Sequence, residues 1–338
     1  MTDTTSSTVA ADRARAAELS AAGRFLKATE LDTRMLGMVG ALLVIWIGIH
    51  VLSGGLFLTP RNLWNLSVQT SSVAIMATGM VLVIVMRNID LSVGSVEGVV
   101  GMIMGVAQAE FLIRVIGLEL GNPWLWIIAL AAGVVLGLAI GAFQGFIIAY
   151  MEVPAFIVTL GMLGLARGLA LVISQGRAIY GLPAEIVYIG QGRPLGIPMP
   201  VVIFVLTAII AHAVLAYTRF GRHTLALGDS EGAARAAGIR VEHHRRIIYT
   251  LSGALAGLAG LLFTARVNEL TAITAAIIGG TNLFGGRASI LGTMIGALIM
   301  GVLQNGLTLL AVQSYYQQMA IGAVLILAVF IDQYQVRK

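Results

Sequence analysis

Asn88 to Gly101 reads NIDLSVGSVEGVVG, and Gly280 to Thr293 reads GTNLFGGRASILGT. At an offset of 192 residues, Asp90 falls on Asn282, Leu91 on Leu283 and Gly94 on Gly286. Each stretch is a polar, Gly-rich break between strongly apolar segments. Lipid cannot hydrogen-bond an exposed backbone, so such a break must be buried in protein or line a cavity. Breaks at corresponding places in two halves of a membrane protein point to a transport path. The fold class expected from this reading is an all-α polytopic membrane protein with broken or short helices.

Composition agrees. Of 338 residues, 58% are hydrophobic and 11% charged, against roughly 25% charged in a soluble domain. The 41 glycines suit close approach of helices in lipid. The absence of cysteine excludes disulfides, thiolate metal sites and cysteine nucleophiles. Residues 1–34 are polar and mix both signs of charge, with no apolar stretch before Met35. That tail is expected to be a retained cytoplasmic segment rather than a signal peptide.

A crossing needs about 20 apolar residues. Ten hydrophobic segments are read: Met35–Leu58, Leu63–Met86, Leu91–Leu112, Pro123–Tyr150, Ala155–Ile173, Pro198–Tyr217, Ile247–Arg266, Leu270–Leu283, Ser289–Val312 and Tyr316–Ile331. The eighth is short and reads as a broken span. The third is interrupted by glycines and carries Glu97. The domains expected are the tail 1–34, a transmembrane domain 35–333 containing a cytoplasmic loop 218–246, and a tail 334–338. With the N-terminus inside and every segment crossing, about fifteen Lys/Arg lie inside and about five outside, as the positive-inside rule requires. Both termini are then cytoplasmic. The same bias accounts for the net charge of +5 without a nucleic-acid partner.

The chain cannot drive active transport by itself through a P-loop, which needs Gly-Lys-Ser/Thr. Its two lysines, Lys27 and Lys338, follow Leu26 and Arg337. Another chain supplies ATP hydrolysis, an ion gradient drives transport, or the protein is passive. No His sits at a spacing that builds a nucleophile–base pair, and no cofactor or metal is implied. His50 reads as a packing residue, and the pair His243-His244 as part of a solvated basic face.

Residues 218–246 form the long polar stretch between spans. Asp229 and Ser230 are good helix N-caps, Ser230 to Ala237 reads as a short Ala-rich helix, and Gly238 suits its stop. Such a helix presents a smooth knob to a partner's groove, or simply connects two spans.

NIDLSVGS at Asn88–Ser95 resembles the signature of ribose- and xylose-type ABC importer permeases, in which Gly-Gly precedes Ile-Asp where this chain has Arg87-Asn88. VPAFIVTLGML at Val153–Leu163, FGRHTLALGDSEGAARAAGI at Phe220–Ile239 and AAIIGGTNLFGGRASILGTMIGALIMG at Ala275–Gly301 resemble successive elements of that family. The resemblance implies a ten-helix permease of the type II importer class in the bacterial inner membrane. It implies a homodimer docked on ABC ATP-binding subunits, fed with a monosaccharide by an extracytoplasmic sugar-binding protein. The coupling helix would be Ser230–Ile239, with Ser230, Glu231, Ala233, Ala234, Arg235, Gly238 and Ile239 as its contact residues. The chain itself would not be an enzyme.

Two readings compete for Asp90. It caps the N-terminus of the third segment, or it touches substrate or gates the path. Its place near the cytoplasmic side favours capping or gating. Ser92 and Ser95 satisfy freed backbone groups or one another, or contact the sugar directly. Gly279 and Gly280 permit close approach, and Asn282 takes the same reading as Asp90. Glu97 needs a partner, for which Arg87 or Arg287 is conceivable. Asn65, Gln69, Thr70, Ser71 and Gln144 are candidates for a neutral polyol or for helix packing. The expected function is a permease for a pentose such as xylose or ribose. The alternatives are a same-fold permease for branched-chain amino acids or a furanosyl signal molecule, and an ion-coupled secondary transporter.

Overall fold

The computed structural model describes residues 33–119, 122, 124–174, 184–262, 290–313, 316–317 and 319–324. Within them the regular structure is helical, with no strand. The helices are α1 (Thr33–Leu52), α2 (Pro60–Val85), α3 (Val93–Val106), α4 (Trp124–Tyr150), α5 (Ala155–Ser174), α6 (Ala184–Gln191), α7 (Met199–Tyr217), α8 (Arg219–Asp229), α9 (Glu231–Ala236), α10 (Val241–Leu262) and α11 (Ile290–Leu309). Among the described residues, five helical stretches are long and apolar enough to cross a membrane: Pro60–Val85, Leu130–Tyr150, Ala155–Ile173, Met199–Tyr217 and Ile290–Leu309. Helices overlap segments one to seven and nine, of which the second, fourth, fifth, sixth and ninth reach spanning length; the eighth lies outside the described residues and the tenth is described only in part.

Helix α2 is the axis of the bundle and is buried along nearly all of its apolar length. It packs against α10, α11 and α7; α10 packs in turn against α4 and α3. Helices α5 and α7 instead expose Ile157, Leu165, Val172, Leu206 and Ile210. Large apolar side chains facing outward all along a helix fit hydrocarbon, not water.

Side-chain pairs fix the helix directions. Gly79 of α2 abuts Ser252 of α10, and Ser72 lies against Ala259. Thr70 abuts Gly301 of α11, and Asn62 bonds Asn305 at 2.9 Å. Both α10 and α11 therefore run antiparallel to α2. The tightest seam joins α4 to α10. A methyl added at Gly141 would fall on the Tyr249 carbonyl, and one at Gly253 on the Gly137 carbonyl. Small residues four apart on α4 let the two backbones touch.

Three expectations need correction. Helix α3 runs unbroken through Gly94, Gly98, Gly101 and Gly105; its irregularity is a wide π turn at Ala107–Phe111. A buried glycine in a packed helix removes a side chain without breaking the backbone ladder. The stretch 218–246 is not a loop with one short helix. It holds α8, then α9, then the first turns of α10, which starts at Val241 ahead of the apolar segment read from Ile247. Helix α8 is strongly amphipathic and buries Thr224 and Leu227 against the bundle, which is why so polar a sequence still packs as a helix. Helix α6 was not read from sequence at all.

Candidate functional site

Two neighbouring features at one end of the bundle carry the polar residues. The first is the turn joining α2 to α3. The N–H of Arg87 donates to Ile84 O at 2.8 Å and closes α2. Arg87 does so at φ 60, in the left-handed region. That conformation costs a non-glycine residue roughly 1–2 kcal/mol, and it accounts for glycine at this place in the resembling pattern. Asp90 is buried, and its Oδ1 accepts from the Ser92 N–H at 2.9 Å and the Ser92 hydroxyl at 2.6 Å. This is a turn closed by an Asp side chain two residues ahead. It sits one step before the helix, so Asp90 supports the start of α3 without bonding its first-turn N–H groups. Gln144 of α4 donates to Ser92 Oγ at 2.6 Å. The chain Gln144–Ser92–Asp90 thus locks α4 to the α2–α3 turn.

Several candidates are placed by these contacts. Gln144 spends its Nε2 on Ser92, and Ser71 Oγ donates back to Ser67 O at 2.7 Å. Asn65 is exposed. Glu97 is buried and accepts from Ser72 Oγ at 2.6 Å, a pairing the sequence did not suggest. Arg87 is engaged elsewhere: its Nε donates to Gly228 O at 2.7 Å and its Nη2 to Asp229 O at 2.9 Å. Ser95 is buried within the first turns of α3. Gly279, Gly280, Asn282 and Arg287 lie outside the described residues, as does most of the second copy of the echo.

The second feature is the α8–α9 unit. Thr218 caps α8 by accepting from Gly221 N at 3.2 Å, and Ser230 caps α9 by accepting from Ala233 N at 3.3 Å. Gly238 follows α9 at φ 82, with Ile239 N–H on Ala234 O at 3.1 Å. That left-handed stop is what a glycine makes easy. Cap, helix and stop fall where the sequence placed them.

Only one position of α9 is buried. Glu231, Gly232, Ala233, Arg235, Ala236 and Ala237 are exposed, whereas Ala234 is 3% exposed and packs into the core cluster. Ala234 is therefore an anchor, not part of an outward knob; burying a methyl is what holds so short a helix in place. Charges reinforce it. Glu231 meets Arg245 at 2.8 Å and Arg235 at 3.2 Å, and Arg235 meets Glu242 at 2.6 Å. Partial burial works to raise the Glu231 carboxyl, but Arg245 and then Arg235 outweigh it and hold the group below its ordinary value.

His244 corrects the reading of a solvated His-His pair. His243 is exposed, but His244 is buried beneath α8. Its Nε2 lies 2.9 Å from Thr224 Oγ1, whose hydrogen is donated to Phe220 O at 2.9 Å. With that hydrogen committed, the imidazole Nε2–H donates to the hydroxyl. Burial, then the nearby His223 and His243, push His244 down to about 4. A depressed folded value means that the unfolded chain binds the proton more readily. The stabilisation is complete above the unfolded value near 6.5 and is lost as pH falls toward 4. Acidification from pH 7 to 5 should cost of order 1 kcal/mol after allowing for solvent screening. Thermal unfolding of the purified protein across that range checks it, and His244→Gln should flatten the dependence.

Among the described residues no cluster of three or more His, Asp or Glu could hold a metal ion.

Residues 62–329 match the family model described as the branched-chain amino acid transport system / permease component. The chain is 42% identical over 306 residues to the ribose import permease protein of Escherichia coli (strain K12), covering 86% of this chain and 91% of that protein. It is 36% identical over 292 residues to the D-allose transport system permease protein of the same strain, covering 83% and 86%. It is 30% identical over 381 residues to that strain's xylose transport system permease protein, covering 92% and 94%. The match to the family model and these relatives together span the bundle and the α8–α9 unit, and the chain belongs to the ribose/xylose-type ABC sugar permease family.

Proposed function

We propose that this chain is the membrane-spanning subunit of an ATP-driven importer that carries a monosaccharide, a pentose such as ribose or xylose, across the cytoplasmic membrane. The observation that carries the reading is similarity to sugar import permeases over more than four fifths of both chains. The capped α9, anchored by Ala234 and otherwise exposed, supplies the docking element such a permease needs.

In this reading the end of the bundle bearing α8 and α9 faces the cytoplasm, along with both termini. Ser230 to Ile239 seats in an ABC ATP-binding subunit through Ala233 and Arg235, while Ala234 anchors the helix from behind. A second copy of the chain completes the path, and a sugar-binding protein delivers substrate at the opposite face. Asp90, Ser92 and Ser95 brace the inner break that opens and closes, and Gly279, Gly280 and Asn282 do the same in the second half. Hydrolysis belongs to the partner; this chain provides the path.

The test is co-expression with an ABC ATP-binding subunit and a sugar-binding protein from the same genome. Uptake of labelled ribose or xylose into proteoliposomes should require internal ATP, and the ATPase should co-purify. Uptake that collapses with an uncoupler and needs no ATPase would sink the proposal. The family description also names branched-chain amino acids, so labelled leucine belongs in the panel; leucine uptake without sugar uptake would replace the substrate class.

A further inference from the structure

We propose that Arg87 is a positioning residue that makes the α2–α3 turn follow the docking helix α9. The inference rests on the reading of α9 as the ATPase-docking element.

The two carbonyls held by Arg87 belong to Gly228 and Asp229, at the end of α8. Carbonyls at a helix C-terminus carry partial negative charge and lack partners within the helix, so a cation there is well placed. A guanidinium presents two N–H groups in a fixed fork and can hold both carbonyls at once, which an ammonium cannot. Asp229 is joined directly to Ser230, the cap of α9. Displacement of α9 is therefore transmitted to the peptide that Arg87 grips.

The other end of the link is equally firm. The Arg87 N–H and the Asn88 N–H bond the last carbonyls of α2, Ile84 O at 2.8 Å and Val83 O at 3.3 Å. Three residues on, Asp90, Ser92 and Gln144 tie the same turn to α3 and α4. One side chain thus bridges the docking unit and the junction of three helices. The ion pairs of α9 run to α10 through Glu231–Arg245 and Arg235–Glu242, and Ala234 joins the apolar cluster that Ile89 and Leu91 of this turn also pack against, so Arg87 adds a directed polar link to a shared apolar contact. Arg87 adopts a left-handed backbone that disfavours a long side chain. A residue kept only to close α2 would be better served by glycine.

The two roles separate in Arg87→Gly, which relieves the backbone and deletes the link. The whole importer is reconstituted with its ATPase and binding protein, and the sugar it takes up best is used as probe. Arg87→Gly should melt within about 2 °C of the parent or higher and still hold the ATPase, while sugar moved per ATP falls about fivefold, as expected for loss of two charge-assisted bonds. Arg87→Lys should fall between. Arg87→Asn, which also tolerates a left-handed backbone, should repeat the glycine result and serves if glycine fails to fold. A parental sugar-to-ATP ratio in Arg87→Gly overturns the proposal. So does a fall in transport matched by an equal fall in folded protein, which assigns Arg87 to stability alone. Failure of the unaltered permease to hold any ATPase overturns the docking reading itself, before any variant is compared.

Discussion

Gly141→Ala should remove most of the folded permease, although it adds a single methyl. That methyl falls on the Tyr249 carbonyl and against Gly253 Cα at 3.1 Å. Neither neighbour is a side chain that could swing aside, so α4 and α10 must separate along the seam. Separation also forfeits contacts above and below, at Gly137 against Gly253 and at Gly145 against Arg246. Overpacking of this kind costs about 1–3 kcal/mol, and more where backbone must move; the upper end is expected here. Gly253→Ala should behave alike. The double variant should cost little more than either single one, because the first has already opened the shared seam. Gly48→Ala in α1 is the control, since nothing lies within 4 Å of its added methyl. Thermal melting and the monodisperse fraction in detergent measure all four. Parental stability in Gly141→Ala would mean that the helices do not touch as described.

The seam shows where sequence reading reaches its limit. The abundance of glycine announced close packing of helices, but abundance does not say which glycines face which. Gly133, Gly137, Gly141 and Gly145 share one face of α4, and that spacing is visible in the chain; their partners Gly253 and Gly257 lie over a hundred positions away and are joined only by the fold. The apolar segments and the caps of α9 were legible because each rests on local chemistry, namely a run of apolar residues, a serine cap, a glycine stop. Helix α8 was missed because its charges, read linearly, looked like a loop. The burial of His244 was missed for the same reason: two adjacent histidines on a helix point in different directions. Glu97 with Ser72, Ser92 with Gln144, and Arg87 with Gly228 are contacts between distant segments. The one local signal for Arg87 was its occupation of a position where the resembling pattern has glycine.

Ala236→Arg should abolish energised transport while leaving the permease folded, and Ala234→Arg should do the reverse damage. The two residues lie on the same turn of α9 but face opposite ways. Ala236 is exposed; Ala234 is 3% exposed, against the core. An arginine at Ala236 keeps helix propensity, adds a cation near the C-terminal end of α9 and meets solvent, so stability should move by less than about 0.5 kcal/mol. A docked ATPase would instead meet a long charged side chain where a methyl belonged. Uptake should fall more than about tenfold, since burying an unpaired charge in an interface readily exceeds 1.4 kcal/mol. The ATPase should be lost on purification, or should hydrolyse ATP without response to sugar. At Ala234 the same arginine must enter the core cluster that also holds Val241 and Ile248. That variant should fail to accumulate, with loss of α9 anchoring and of the ion pairs that Glu231 and Arg235 make. Uptake by Ala236→Arg at the parental rate, from a protein that melts normally, would remove α9 as the docking helix and move the search to the exposed face of α8, where Arg222 and His223 lie.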